Sequence, residues 1–329
     1  MSASAHSWSR RRPLLRPRSR LRAAPAPTAG GRVRGPIVVG FDGSPESAAA
    51  ADWAAREAVR RRLPLQLVQA WPWPRNDVLG SEDAVRWGRA RLTSKEADIR
   101  TRFPSVEVSS EHLPGAPNAV LQAAGRNAAV LVLGSRGMGT LHGFLAGSVS
   151  QEALRLADCP VVLVRAGRTA ADEHVPTAEG REPVDRPYRD VALGLDLRHP
   201  CDAAIAFAFE AAALRAAPLR VIHAWGTSLV GEYMALGATA GLAARVEKAE
   251  KEALSSVLWP WRERYPQVVL LPRSVLGSTA PALLDTSAQA GLLVLGRRSR
   301  PSPLGPHLGP VAHAAVHHAV CTVAVVPCR

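Results

Sequence analysis

The segment GSRGMGTLHGFLAGS at 134–148 carries residues whose types and spacing suit the binding of an anion. Its glycines at 134, 137, 139, 143 and 147 allow close backbone approach and positive φ. Successive backbone N–H groups in such a loop can form a nest around a phosphate. A helix starting near Gly147 and Ser148 would add its unpaired first-turn N–H groups and its dipole. Arg136 supplies a charge and Ser148 a hydroxyl. The loop is not a Walker loop, because GxxxxGK[ST] is absent. Nor is it a dinucleotide fingerprint, because His142 stands where the third glycine of GxGxxG would be. No GxSxG elbow or convincing Ser/His/Asp order accompanies it, and no carboxylate can be assigned to a γ-phosphate. The expectation is therefore a binding site and not an enzyme, with slow hydrolysis left open.

The elements that would position this loop alternate between strand and helix. Ile37–Phe41 is a short apolar strand that runs into Asp42. Ser44 followed by Pro45 is a helix start, with a hydroxyl N-cap and then a proline where no N–H is needed. That helix runs to about Arg62 and stops before Pro64. Strands follow at Leu65–Trp71, Val106–His112, Ala129–Gly134 and Val161–Arg165. Helices are predicted near 81–102, over Pro117–Asn127, and from Gly147 to about Ala157. Apolar strands between amphipathic helices imply a parallel sheet covered on both faces. Such sheets bind ligands beyond the carboxyl ends of their strands, where the strand order reverses. Asp42 and the glycine loop both follow strands directly.

The whole pattern occurs twice. VVGFD at 38–42 matches ALGLD at 192–196, and Ala70-Trp71 matches Ala224-Trp225, both at an offset of 154. AAVLVLG at 128–134 matches AGLLVLG at 290–296, and CPVVLV at 159–164 matches CTVAVV at 321–326, both at an offset of 162. This predicts two copies of one domain, 36–166 and 188–328, joined by a polar, proline-rich linker at 167–187. The second copy is degraded at the loop. Ser299 replaces the second glycine, and Pro310 replaces the serine after Gly309. The proline removes a hydroxyl and an N–H at the helix end that should face a phosphate.

The spacing Gly134-x2-Gly137-x9-Gly147-Ser148 resembles the ATP-binding motif of the universal stress protein family. VVGFDGSPES at 38–47 resembles that family's opening strand and aspartate, and GSVS at 147–150 the start of its last helix. The resemblance covers both repeats. It implies an α/β fold: two tandem flavodoxin-like domains of the adenine-nucleotide α-hydrolase-like type, each a five-stranded parallel sheet with helices on both faces. It further implies that Asp42, with Gly40 at the strand end, meets the adenosine, and that Ala70 flanks the adenine. Leu133, Gly134, Arg136, Gly137, Gly147, Ser148 and Val149 would hold the phosphates and ribose, with Ser150 reaching the phosphates. The cofactor implied is ATP, with Mg²⁺ as a possible companion; AMP or a cyclic nucleotide would make similar adenosine contacts. The expected role is a stress-response regulator whose first repeat binds ATP. Occupancy would modulate conformation or a protein partner, with pairing of copies within the chain or in a homo-oligomer. The alternatives are a slow nucleotide hydrolase or a non-catalytic scaffold.

The net charge of +13 suggests nucleic acid, but nine arginines lie in residues 1–34, which hold no acidic residue. Removing them leaves 13 − 9 = +4 for the remainder, so a nucleic-acid surface is not expected outside this tail. Residues 1–35 are expected to be a disordered, arginine-rich tail. No stretch of about 18 apolar residues indicates a membrane span. Cys159, Cys201, Cys321 and Cys328 form no CxxC pair and no signal peptide is seen, so reduced thiols in the cytoplasm are expected. Trp71-Pro72-Trp73 and Trp259-Pro260-Trp261 are expected to anchor loops, while Trp53 is a candidate for a domain interface. His313 and His317 have metal-compatible spacing, but a packing or solvated role is expected.

Overall fold

The structure, a computed structural model, describes residues 35–71, 81–135, 147–176, 186–226, 240–298 and 308–328. The basic tail, the linker centre at 177–185 and the loops at 136–146 and 299–307 lie outside the described residues. The first repeat comprises β1 (Ile37–Gly40), α1 (Pro45–Arg61), β2 (Leu65–Trp71), α2 (Ser81–Arg102), β3 (Val108–Pro114), α3 (Pro117–Gly125), β4 (Val130–Ser135), α4 (Ser148–Leu156) and β5 (Val161–Arg165). The second comprises β6 (Asp190–Gly194), α5 (Asp202–Arg215), β7 (Leu219–Trp225), α6 (Ala240–Arg264), β8 (Leu270–Leu276), α7 (Thr279–Ser287), β9 (Ala290–Arg298), α8 (Pro310–His318) and β10 (Thr322–Cys328). Among the described residues, no helix is long and apolar enough to cross a membrane.

Local chemistry fixes the boundaries of α1. The Ser44 Oγ accepts from the Ser47 N–H at 3.2 Å, and Pro45 fills the first turn. At the other end Arg62 turns left-handed, with φ of +54°, and its N–H bonds the Val59 carbonyl. The face of α1 rich in alanine lies on the sheet, and Trp53 is 2% exposed.

All ten strands form one sheet in the order β3-β2-β1-β4-β5-β10-β9-β6-β7-β8. Within each repeat every pairing is parallel. The repeats meet where β5 pairs antiparallel with β10, through Leu163↔Val323, Val162↔Ala324 and Val161↔Val325. Alternate strand residues feed two cores, one on each face. One joins Val39, Leu67 and Val132 to α1, α2, α5 and α6; the other joins Val38, Leu131 and Leu133 to α3, α4, α7 and α8. Both cores run through both repeats.

Charge also crosses the seam. Glu57 on α1 is fully buried and accepts from Arg61 at 2.6 Å, from Arg60 at 3.2 Å, and from Arg215 of α5 at 2.6 Å. Burial opposes ionisation of Glu57, but the three guanidiniums outweigh it and hold the carboxyl well below the ordinary range. Burial lowers the Arg215 guanidinium even so, yet a guanidinium stays protonated across the working pH range, so the pair is ionised. The beginning of the linker is part of the same cluster. Glu173 accepts from Arg56 at 2.9 and 2.6 Å and from Arg60 at 2.5 Å. Trp53 also belongs to this contact, with the Arg215 guanidinium 6.0 Å from its ring centre.

Two expectations need correction. Cys201 and Cys328 are not reduced thiols: they form a disulfide across a sequence separation of 127. Spacing could not reveal this, because the fold alone brings the start of α5 to the end of β10. Cys159 and Cys321 are free and buried. Trp259-Pro260-Trp261 is not in a loop but inside α6. There Pro260 forgoes one helical hydrogen bond, while Trp261 is buried and stacks on Phe209 at 6.2 Å.

Candidate functional site

In the first repeat the chain lays β1, β2 and β3 in one direction, then crosses to β4 and β5 on the other side of β1. The carboxyl ends of β1 and β4 are therefore the point where strand order reverses. Asp42 follows β1, and Gly134 and Ser135 close β4. The loop after β4 returns at Gly147, the N-cap of α4.

The predicted residues lie at the ends of β1, β2 and β4 and at the start of α4, except Arg136 and Gly137, which lie outside the described residues. Asp42 is exposed, and its Oδ1 accepts from the Ser44 N–H at 2.9 Å. Partial burial opposes its ionisation, but hydrogen bonds from Ser44 and Ser47 hold the carboxyl below its ordinary value. Gly43 beside it has φ of +79°, so the turn that presents Asp42 needs a residue without a Cβ.

Gly134 is required by the protein itself. A Cβ there would lie 2.5–2.7 Å from the Glu46 carbonyl and the Ser47 nitrogen, so its absence lets the first turn of α1 approach the end of β4. Gly40 is a packing residue of milder demand, since its Cβ would meet the Leu133 side chain at 2.6 Å. Gly194 meets Leu295 in the same way in the second repeat, which points to packing in both copies.

Gly147 behaves differently. Its φ of −53° suits any residue, and no described residue lies within 4 Å of where its Cβ would be. It stands at the start of α4, where the first-turn N–H groups have no carbonyl a turn earlier to bond. Ser148 is exposed there, and Val149 packs on the same core as Ala70 and Leu133. Ser150 is turned inward, 7% exposed, with its hydroxyl donating to the Gly134 carbonyl at 3.4 Å. It ties α4 to the end of β4.

Sequence reasoning passed over Arg91. From α2 it reaches across the β1–α1 turn and donates to the carbonyl of Gly43, the residue that follows Asp42. Nothing in its spacing identified it, because α2 is charged along its length. A cavity of about 440 Å³ beside α3, lined by Pro36, Gln66, Leu113, Ala119, Ala123 and Asn127, has no cation in its lining and lies on the flank of the sheet.

The second repeat has the same strand order but not the same chemistry. Asp196 accepts from the Arg198 N–H at 2.9 Å, as Asp42 does from Ser44, yet Arg298 occupies its other oxygen. Gly309 caps α8, but Pro310 supplies no N–H to the first turn. The Cys201–Cys328 disulfide fills the place over Gly296 that the first turn of α1 fills over Gly134.

The profile of the universal stress protein family matches residues 34–165 and 187–327, one match for each repeat. The chain belongs to the universal stress protein family. Universal stress protein Rv2005c of Mycobacterium tuberculosis is 33% identical over 301 residues, covering 88% of this chain and 96% of that protein. Universal stress protein Rv2623 of the same organism is 32% identical over 301 residues, covering 88% and 95%. In three dimensions the chain resembles a universal stress protein from Archaeoglobus fulgidus. The TM-score is 0.62 at 13% identity, over 89% of this chain and 98% of that one. Another, a putative universal stress protein from Pseudomonas aeruginosa, gives 0.56 at 15% identity, over 89% and 92%. These two structural likenesses bear on the fold, and both extend over the two repeats together.

Proposed function

We propose that the first repeat of this universal stress protein binds one adenine nucleotide, ATP, and that the second repeat does not. The start of α4, directly beyond the β1/β4 reversal point, carries this reading: no described residue crowds Gly147 or its counterpart Gly309, but Ser148 brings a first-turn N–H where Pro310 brings none. The triphosphate lies against the N–H groups of Ser148, Val149 and Ser150, with Arg136 and Gly137 in the loop that precedes them. Asp42 accepts from the ribose hydroxyls, and Ala70 forms the apolar wall for the adenine. The residues fit the nucleotide by charge, since phosphate meets N–H groups and a carboxylate meets hydroxyls. Mg²⁺ would accompany the phosphates. No residue is assigned to hydrolysis, so occupancy acts by changing the conformation of the paired repeats or what a protein partner sees.

Ser148→Pro tests the reading by giving α4 the residue that α8 carries. Proline is well tolerated at the first position of a helix, so the fold should persist. We expect calorimetric titration with ATP to show at least a tenfold loss of affinity, with the circular dichroism unchanged. Unaltered affinity would rule out the α4 terminus as the phosphate site.

A further inference from the structure

The second repeat carries a cross-link beside its β9 glycine, where the first repeat has only the first turn of α1. At the repeat offsets, Cys201 corresponds to Ser47, Cys328 to Ala166 and Gly296 to Gly134. In the first repeat, the close neighbours of Gly134 are backbone atoms of Glu46 and Ser47. In the second, a Cβ on Gly296 would meet the Cys328 Sγ at 2.8 Å and the Cys201 Cβ at 3.1 Å. The cross-link lies over that glycine, with the two Cα atoms 5.4 Å apart. Its two ends belong to α5 and to β10, the strand that also pairs with β5 and so carries the seam between repeats.

We propose that Cys201–Cys328 is a reversible redox site, a latch that ties the C-terminal strand to α5 when oxidised and releases it when reduced. Its position favours exchange. Cys328 is partly exposed, so an incoming thiolate can reach its Sγ. The leaving sulfur, Cys201, is the N-cap of a 14-residue helix, and a helix N-terminus stabilises a thiolate. Exposed Asp202 opposes this only across water. The other two cysteines do not compete. Burial pushes the Cys159 thiol up to about 11 and the Cys321 thiol up to about 12, so neither is a nucleophile near neutral pH.

The oxidant is a small disulfide such as oxidised glutathione. The Cys328 thiolate attacks it, one small thiol leaves, and a mixed disulfide forms. The Cys201 thiolate then attacks the Cys328 Sγ and releases the second small thiol. Two electrons pass to the small disulfide, and the two protein protons end on its thiols. Reduction runs the same steps in reverse.

The full chain, without nucleotide, is equilibrated across reduced and oxidised glutathione ratios, alkylated under native conditions and read by peptide mass spectrometry. We expect Cys201 and Cys328 to become alkylated together in one two-electron transition, with Cys159 and Cys321 modified only after denaturation. The oxidised form should melt several degrees higher than the reduced form. Cys328→Ser should abolish that difference while leaving the melting temperature of the reduced form unchanged. Two outcomes would overturn the proposal: both thiols alkylated at every ratio, or a cross-link that survives millimolar dithiothreitol in the folded protein. Neither depends on nucleotide binding.

Discussion

Gly134 and Gly147 are glycines for different reasons, and substitution separates them. Gly134→Ala drives a Cβ into backbone atoms of α1 that cannot rotate away, at 2.5–2.7 Å. Overpacking of this kind costs about 1–3 kcal/mol, which a urea midpoint would register. Gly147→Ala meets no described residue, so its stability should stay within about 0.5 kcal/mol of the parent. Its methyl group projects into the space assigned to phosphate, and ATP affinity should fall about tenfold. If Gly147→Ala unfolds the protein, or Gly134→Ala leaves the midpoint unmoved, this division is wrong. The glycine spacing could be read from sequence because the glycines cluster within one short segment, and Asp42 because it follows the first apolar strand directly. Arg91 could not, since its bond to the Gly43 carbonyl depends on how α2 lies across the sheet. The inward turn of Ser150 was equally hidden: its hydroxyl could face the crevice or Gly134 until α4 was placed.

Among the elements, α1 was legible almost to the residue, because Ser44, Pro45 and Pro64 are local stereochemical signals. Its far side was not. Asp52, Arg56 and Glu57 break the apolar character of the helix, yet Glu57 is fully buried against α5. Burying a carboxylate is tolerable here only because Arg60, Arg61 and Arg215 converge on it, and that convergence is tertiary. Glu57→Gln should destabilise the protein by about 3–5 kcal/mol, because it leaves Arg215 buried beside a neutral partner. The same pair sets an acid limit. The carboxyl is depressed in the folded state, so its contribution is present above the ordinary carboxylate value of 4.5 and is lost as pH falls below it. Urea midpoints between pH 7 and pH 3 should therefore fall more steeply in the parent than in Glu57→Gln; parallel curves would contradict the assignment. The helix α6 shows the opposite failure. Pro260 looked like a loop signal, and burial of Trp261 against Phe209 overrode it.

At the scale of the molecule, the internal repeat gave away the architecture, because each copy repeats the same succession of apolar strands. What it could not give was the seam. The antiparallel β5–β10 pairing turns two five-stranded sheets into one of ten strands, with both cores continuous across it. The disulfide was hidden for the same reason, since its partners are adjacent only after the fold closes. The two halves share topology and, among the described residues, an uncrowded glycine at the last helix start; they differ in what surrounds it, Ser148 and a less encumbered Asp42 in one, and Pro310, Arg298 on Asp196 and a cross-link in the other. This difference predicts an asymmetric protein. The measurement that tests it most directly is native mass spectrometry of the full chain titrated with ATP to saturation. One nucleotide bound per chain, abolished by Ser148→Pro, is the result expected; two per chain, or none, would contradict it.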